Sequence, residues 1–189
     1  MKKNIIPMRT LRNLFLDELA DRLDSEKRLV NAMPGMIKIA SCAKLRAVIE
    51  THLMQTERHV TKVEKVFKLF GEKPCVNRCE ATLGLLTEGT EVATENKGLP
   101  VINAALVLVA QKIEHYEIAS YGALREWAML LGNKPAAAIM KEILGEEKAA
   151  NQALIDVAAA HCNIQALTGG TIDTCDVMGK KAKTHKRAA

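Results

Sequence analysis

The stretch VINAALVLVAQKIEHYEIASYG, residues 101–122, indicates the fold more clearly than any other part of the chain. Its apolar residues recur at the three- and four-residue spacing of one face of an α-helix. The positions that set this face are Ile102, Leu106, Val109, Ile113 and, just beyond the stretch, Leu124. The pattern predicts a long helix that buries one side against other helices.

The buried face of this helix also carries polar side chains. At about 100° per residue, Glu117 and Tyr121 point close to the apolar direction. Glu114 lies near the flank of that face, whereas His115 points away from it. Because a buried carboxylate without a partner is costly, the rest of the chain has to supply something that pairs with these glutamates.

The other segments have the composition and the breakers of a helical protein. Hydrophobic residues make up 48% of the chain but aromatic residues only 3%, which favours helices packed through small and aliphatic side chains. The dipeptides Pro34–Gly35 and Gly132–Asn133, together with Gly71, are predicted to separate the periodic segments. The predicted long helices span residues 8–33, 36–70, 101–131 and 135–161, and a shorter helix spans residues 79–96.

These segments predict an all-α protein, a four-helix bundle with an extra connecting helix between the second and third long helices. The bundle is expected to occupy residues 1–162 and to be followed by an irregular basic tail, residues 163–189. The end of the tail, GKKAKTHKRAA, holds five of the 27 basic residues and no acidic one, which leaves 22 basic against 22 acidic residues elsewhere. This tail is interpreted as a solubilising end or as a weak contact to nucleic-acid phosphates, without base recognition because it has no aromatic residue.

Three other predicted helices also place acidic or imidazole side chains on their apolar faces. On the first long helix Glu26 lies in the middle of the apolar stripe. On the second, His52 and His59 lie within it, and on the last, Glu147 points inward. All four long helices therefore direct potential metal ligands towards the predicted interior.

A bound cation is one answer to this crowding of acidic groups. It removes both the repulsion between neighbouring carboxylates and the cost of burying them. Carboxylates and imidazoles from facing helices are typical ligands of iron and manganese in helical bundles. The plainer interpretation is that each inward glutamate pairs with an arginine or lysine and each inward histidine makes ordinary core hydrogen bonds. Tyr121 is expected to donate a hydrogen bond to one of the carboxylates.

The chain shows no pattern of a membrane or secreted protein. No apolar run reaches the length of a membrane span, and the charged residues from Arg9 to Glu18 interrupt any signal-peptide core. The five cysteines include no C-x-x-C pair. A cytoplasmic location with free thiols is therefore expected, with Cys75 and Cys79 as plain thiols and a redox role as the alternative.

Three segments resemble a known family. AQKIEHYEIASYGALREWAMLLG (110–132), EILGEEKAANQALIDVA (142–158) and DSEKRL (24–29) closely resemble the YciF/YciE-type bacterial stress proteins. The resemblance extends from about Leu11 to Ala159 and implies a ferritin-like bundle, related to rubrerythrin and able to dimerise. It covers most of the chain, and the segment at 110–132 is its most specific part.

The resemblance also implies a set of metal ligands. Rubrerythrin-like di-iron proteins use Glu on the first helix, Glu-x-x-His on the second, Glu-x-x-Glu on the third and Glu-x-x-His on the last. Five of these seven positions are matched here, and the implied ligands are Glu26, His59, Glu114, Glu117 and Glu147.

Two positions depart from that pattern. Thr56 stands where the second helix should supply Glu, and Ala150 stands where the last helix should supply His. These departures weigh against a complete di-iron oxidase and favour a single-metal, weak or vestigial site. His52 lies one turn before Thr56 and is expected to compensate in part.

Two hypotheses follow. The first is a ferritin-like stress-response protein, working as a homodimer, whose core holds one or two iron ions, or manganese, and which oxidises ferrous iron or consumes peroxide. Mineral storage and rubredoxin-type electron delivery are not expected, because the sequence indicates no cage and has no paired C-x-x-C motifs. The second is a non-enzymatic bundle with a vestigial metal site that acts by association with itself, with a partner protein or, through the tail, with nucleic acid.

Overall fold

A computed structural model of the protein describes residues 10–169, and all regular elements in this range are helices, with no strand among them. The prediction of an all-α protein is confirmed. The elements are α1 (Leu11–Ile39), α2 (Ala43–Leu69), α3 (Glu80–Glu95), α4 (Ile102–Leu130), α5 (Lys134–Val157), a π-helical turn (Ala158–Cys162) and α6 (Asn163–Leu167). The shorter helix and the third and fourth long helices begin and end within a few residues of their predicted bounds.

The four long helices surround a common interior. α1 packs against α2 and α4, and α5 packs against α2 and α4, so that these contacts form a closed ring. α3, which lies between α2 and α4 in the chain, packs on the outside against α4 and α1. No helix in residues 10–169 combines the length and the apolar character that crossing a bilayer requires.

The first predicted helix boundary was wrong. The chain continues helically through Pro34 and Gly35, and α1 ends only at Ile39. A proline inside a helix removes one backbone hydrogen bond and strains the preceding turn. Here the side chains of Met33 and Ala40, on either side of the proline, are buried in the core. This burial on both sides holds the segment in the helix despite the proline.

The turn between α1 and α2 is fixed instead by a residue from α4. The buried Asn103 side chain accepts hydrogen bonds through Oδ1 from the backbone N–H groups of Ser41, at 3.0 Å, and Cys42, at 3.1 Å. Its amide nitrogen donates to Ser41 Oγ at 2.7 Å and to Gln165 Oε1 on α6 at 2.8 Å. Asn103 thereby satisfies N–H groups at the start of α2, which helix ends otherwise leave without partners.

The apolar core is divided into two clusters with a polar layer between them. On α1 one cluster ends at Leu23 and the other begins at Leu29, with Glu26 between them. The same interruption lies between Ile49 and Val63 on α2, between Ile113 and Tyr121 on α4, and between Leu144 and Leu154 on α5. All four interruptions coincide with the inward polar residues that the sequence indicated.

The predicted tail is described only in part. α6 shows that residues 163–167 are helical and not irregular. The basic residues of the tail, from Lys180 to Arg187, lie outside the described residues.

Candidate metal centre

Six ionisable side chains from four helices meet in the polar layer of the core. All five predicted ligands are among them and are buried, and His52 is the sixth. They form two groups that share Glu147, and within each group the potential ligand atoms lie within 4.8 Å of one another. The first group consists of Glu26, His59 and Glu147, and the second of His52, Glu114, Glu117 and Glu147.

The first group is arranged around the Nδ1 atom of His59. This atom lies 2.9 Å from Glu147 Oε1 and 3.6 Å from Glu26 Oε2. The side chains of all three residues are completely shielded from solvent. The group thus joins α1, α2 and α5 at one point.

The second group is arranged around the Nε2 atom of His52. This atom lies 3.2 Å from Glu114 Oε1 and 3.4 Å from Glu147 Oε2. Glu117, one turn after Glu114 on α4, contributes a further carboxylate with no exposed surface. Glu147 places one oxygen near each histidine, which is the arrangement expected of a carboxylate that bridges two cations.

Most of the unsatisfied polar atoms of the described residues belong to this centre. Twelve buried side-chain nitrogen or oxygen atoms in residues 10–169 have no hydrogen-bond partner, and eight of them are on these six residues. Both oxygens of Glu117 and both oxygens of Glu147 are included. Because buried polar atoms in proteins are nearly always paired, such a concentration indicates a missing partner.

The electrostatics of the centre also show an excess of acidic groups. Burial raises the pKa of Glu117 well above 4.5, and the nearby carboxylates of Glu26 and Glu147 raise it further. The pKa of Glu114 is raised in the same way, by burial and then by Glu147. Burial by itself would lower the pKa of His59, but Glu147 and Glu26 outweigh burial and raise it to about 10. His59, Glu114 and Glu117 therefore hold protons tightly, in the space that a metal cation would take.

Glu147 behaves differently from the two glutamates of α4. Burial would raise its pKa, but the hydrogen bond from His59 and the charges of His52 and His59 outweigh burial and lower it. Glu147 therefore stays ionised more readily than Glu114 and Glu117 do.

Contacts outside the two groups orient the ligands. His59 Nε2 lies 2.7 Å from Glu146 Oε2, and the ammonium group of Lys62 donates to the same oxygen at 2.7 Å. This leaves His59 Nδ1 free to face the centre, as when a carboxylate fixes the ring of a metal-binding histidine. On the opposite side the Tyr121 hydroxyl donates a hydrogen bond to Glu26 Oε1, as the sequence predicted.

The two departures from the rubrerythrin-like pattern have structural counterparts. Thr56 is buried and donates its hydroxyl to the His52 carbonyl oxygen at 3.0 Å, so it offers no charge to the centre. Ala150 and His52 line the same cavity, from α5 and α2 respectively. His52 therefore brings an imidazole from the neighbouring helix into the region that a histidine at position 150 would have reached.

The donor set suits a transition-metal cation. Four carboxylates and two imidazoles, without a thiolate, are ligands that iron, manganese and zinc accept. A cation held by bonds of about 2.1 Å has ligand atoms no more than about 4.2 Å apart, and the histidine–glutamate distances in the two groups, from 2.9 to 3.6 Å, are within this range. These buried histidine and glutamate groups could accordingly hold a metal ion.

A second buried polar cluster, here called the arginine cluster, consists of Asp21, Arg22, Cys79 and Tyr116. The fully buried Arg22 donates through Nη2 to Asp21 Oδ2 at 2.6 Å, to Cys79 Sγ at 3.3 Å and to the Tyr116 hydroxyl. Its guanidinium carbon lies 4.2 Å from the centre of the Tyr116 ring. The sequence analysis did not predict this cluster. Helical periodicity nevertheless places Arg22 close to the apolar face of α1, which is a signal that could have revealed it.

The two thiols discussed from sequence have different positions. Cys79 is completely buried at the N-cap of α3, where its sulfur accepts a hydrogen bond from the Thr82 backbone N–H at 3.4 Å. Cys75 is exposed. Among the described residues, Cys79 thus has a structural capping role and Cys75 shows no such contact.

Comparison with known proteins identifies the family. A family model described as a domain of unknown function, DUF892, matches residues 10–167. The chain belongs to this family. Within it, the chain is 36% identical over 160 residues to protein YciF of Escherichia coli strain K12, a match that covers 84% of this chain and 96% of YciF. The resemblance to YciF-type proteins is confirmed.

Two solved structures agree with this assignment. The structure of the E. coli stress protein YciF matches with a TM-score of 0.77 and 37% identity, over 80% of this chain and 96% of that one. YcfI of Rhodopseudomonas palustris, which is described only provisionally as a structural protein, matches with a TM-score of 0.76 and 38% identity, over 84% of this chain and 99% of that one.

Proposed function

We propose that the protein is a ferritin-like four-helix bundle, with α3 as the extra connecting helix, that binds one or two iron or manganese ions in its core. The observation that carries this proposal is the set of eight unpartnered atoms on six residues, joined through Glu147. The ligands would be Glu26, His52 and His59, together with Glu114, Glu117 and Glu147. The stress-response role is proposed because E. coli YciF is called a stress protein.

The chain's own residues define how such a centre would work. Glu147 would contribute to both ligand groups, because its two oxygens face the two histidines separately. Glu146 holds the His59 ring so that Nδ1 faces inward. The apolar clusters on either side keep water away from the layer, which strengthens every charge interaction within it.

Iron in this centre would supply redox chemistry. Two ferrous ions provide two electrons, which with two protons reduce dioxygen to hydrogen peroxide, or hydrogen peroxide to two waters. Burial and the neighbouring carboxylates raise the pKa values of Glu114 and Glu117 well above 4.5, so both hold protons more tightly than ordinary glutamates do. They are therefore the candidates for supplying protons to the oxidant when they are not bound as ligands.

The test is metal stoichiometry combined with anomalous scattering. Crystals soaked in ferrous salt without oxygen should show anomalous peaks between Glu26 and Glu114, and purified protein should bind one or two equivalents. The Glu114→Ala/Glu147→Ala double variant should lose this metal. A control variant, Glu142→Ala, changes an exposed carboxylate on the same helix as Glu147 and should keep it. Metal binding that persists in the double variant would refute the proposal.

A second function is supported by the two lost ligand positions. With Thr56 and Ala150 in place of Glu and His, the bundle could serve as a scaffold with a vestigial site, in keeping with the structural role provisionally given to YcfI. It would then act as a homodimer or bind a partner, with the basic tail contacting nucleic acid. A protein that stays free of metal under every loading condition, sediments as a dimer and loses DNA retention on deletion of residues 179–189 would favour this function.

A further inference from the structure

An apolar cavity adjoins one side of the candidate metal centre. Its inner end is bounded by His52 and Glu114, and the remaining wall is apolar, with residues such as Ile49, Ala110 and Ile113. About 30 Å³ of it is open to the centre of a water-sized atom, whereas about 10–15 Å³ is enough for one water. The cavity thus has room for a diatomic molecule directly beside two potential ligands.

Two ligand atoms at this wall make no hydrogen bond, although His52 Nε2 lies 3.2 Å from Glu114 Oε1. Glu114 Oε2 and His52 Nε2 are both buried and make no hydrogen bond. The side chains of Glu114 and His52 are 3% and 7% exposed, so bulk solvent does not satisfy them either. A molecule in the cavity would therefore lie directly beside the potential metal ligands Glu114 and His52, with no other side chain between them.

A surface groove lies against this cavity. It runs between α1, α3 and α4, has a volume of about 410 Å³, and shares Ala32, Met36 and Leu86 with the inner cavity. Gly89 permits the close packing at this place, because a Cβ atom there would lie 2.7 Å from Val109 Cγ1. The three residues common to groove and cavity, here called the shared wall, all have small or flexible apolar side chains.

We infer that this cavity is a dioxygen-binding site beside the candidate metal centre, which dioxygen enters from the groove when the side chains of the shared wall move. Dioxygen is apolar and gives up no hydrogen bonds when it enters an apolar cavity. Hydrogen peroxide would lose its hydrogen bonds to water along the apolar wall and could replace them only at the inner end, at Glu114 and His52, which is costly for a polar molecule. The inference rests on the proposed function and deepens it by selecting dioxygen as the oxidant of the reduced centre.

The first test uses xenon, which binds in dry apolar cavities, and needs no metal. Crystals of metal-free protein under xenon pressure should show a xenon peak between Ile49, Ala110 and Ile113. The Ala32→Leu variant, which places a larger side chain in the shared wall of cavity and groove, should lose that peak. The control, Ala123→Leu, changes a half-buried alanine of α4 that lines none of these cavities and should retain it.

The second test compares two oxidants on protein loaded with ferrous ions. Ala32→Leu should lose most of the rate with dioxygen and keep the rate with hydrogen peroxide, whereas Ala123→Leu should keep both. Absence of xenon from the wild-type cavity, or equal effects of Ala32→Leu on the two oxidants, would overturn the inference. If the wild-type protein binds xenon but no metal, the proposed function fails while the apolar cavity stands.

Discussion

The metal centre and the arginine cluster lie about one helical turn apart on α1, and both bury charge between α1 and α4, yet they are completed in different ways. Arg22 has an acidic partner, a phenol and a thiol within hydrogen-bonding distance and an aromatic ring beneath it. The four glutamates of the centre are contacted by two histidines and one tyrosine, and the charge of Arg22 acts on Glu117. Arg22 leaves two nitrogens, Nε and Nη1, without a hydrogen bond, whereas the four glutamates leave six oxygens without one. The chain therefore pairs its buried arginine more completely than its buried carboxylates.

This difference shows why burial of charge alone does not identify a metal site. A buried charge with a partner in the same chain helps to specify one packed structure, although its net contribution to the free energy of unfolding is often small. A buried cluster with one sign of charge and unpartnered atoms needs protons or a cation. The two clusters are thus controls for each other. Substitutions in the candidate metal centre should change how the free energy of unfolding responds to metal, whereas substitutions in the arginine cluster should leave that response unchanged.

The largest expected effect comes from breaking the arginine cluster. Arg22→Met should lower the free energy of unfolding by about 3 kcal/mol, because it leaves buried polar partners without a charge. Urea unfolding followed by circular dichroism measures this. Lys27→Met on the same helix removes an exposed ion pair with Glu64 and should cost at most about 1 kcal/mol. Equal losses in the two variants would show that Arg22 is not the centre of a paired cluster.

The next effect is the response of the metal centre to its cation. Manganese at 100 times its dissociation constant should raise the free energy of unfolding by about 2.7 kcal/mol. Glu147→Gln should abolish the rise, since Glu147 belongs to both ligand groups. Thermal unfolding with manganese and with a chelator measures the difference. Arg22→Met should keep the rise, and a rise that survives Glu147→Gln would place the metal elsewhere.

A smaller effect is expected from the outer contact of His59. Glu146→Gln should weaken manganese binding by about 10- to 100-fold without changing its stoichiometry, as for other carboxylates that orient a metal-binding histidine. Titration calorimetry measures the affinity. Glu142→Gln is the matched control, since Glu142 also contacts Lys62, at 3.1 Å, but does not reach His59. An unchanged affinity in Glu146→Gln would mean that His59 is oriented by packing alone.

The smallest effect is the pH dependence of the metal-free protein. Glu117 has a folded-state pKa well above its unfolded value of 4.5, so the folded state holds more protons and stability falls as pH rises from 4.5 towards the folded pKa. His59, with a pKa raised from 6.5 to about 10, acts in the same direction: its stabilisation is complete below 6.5 and is lost as pH rises through 10. The lowered pKa of Glu147 matters only below about pH 4.5. Glu117→Gln should therefore flatten the slope by up to about 1.4 kcal/mol per pH unit.

Urea titrations between pH 6 and pH 9, with chelator present, provide the measurement. Glu142→Gln is again the control and should leave the slope unchanged. Metal-free stability that increases over this range in the wild-type protein would contradict the assignment of tightly held protons to the centre.

The sequence predicted which polar side chains point inward better than it predicted the turns. Glu26, His59, Glu114, Glu117 and Glu147 could be placed on inward faces because helical periodicity is a local property of the chain. The boundary at Pro34 was wrong because a local breaker was outweighed by core burial on both sides of it. The true turn depends on Asn103, some 60 residues further along, which no local pattern could indicate.

The amino-acid sequence by itself determined that the protein is helical, which faces of its helices are apolar, and that acidic side chains interrupt those faces. Only the tertiary structure decided which atoms come together: that His52 reaches the space beside Ala150, that Glu147 faces both histidines, and that an apolar cavity ends at Glu114. The physical reason is that periodicity fixes the direction of a side chain about its own helix axis. The rotation and height of one helix against another are set by the packing of the whole core.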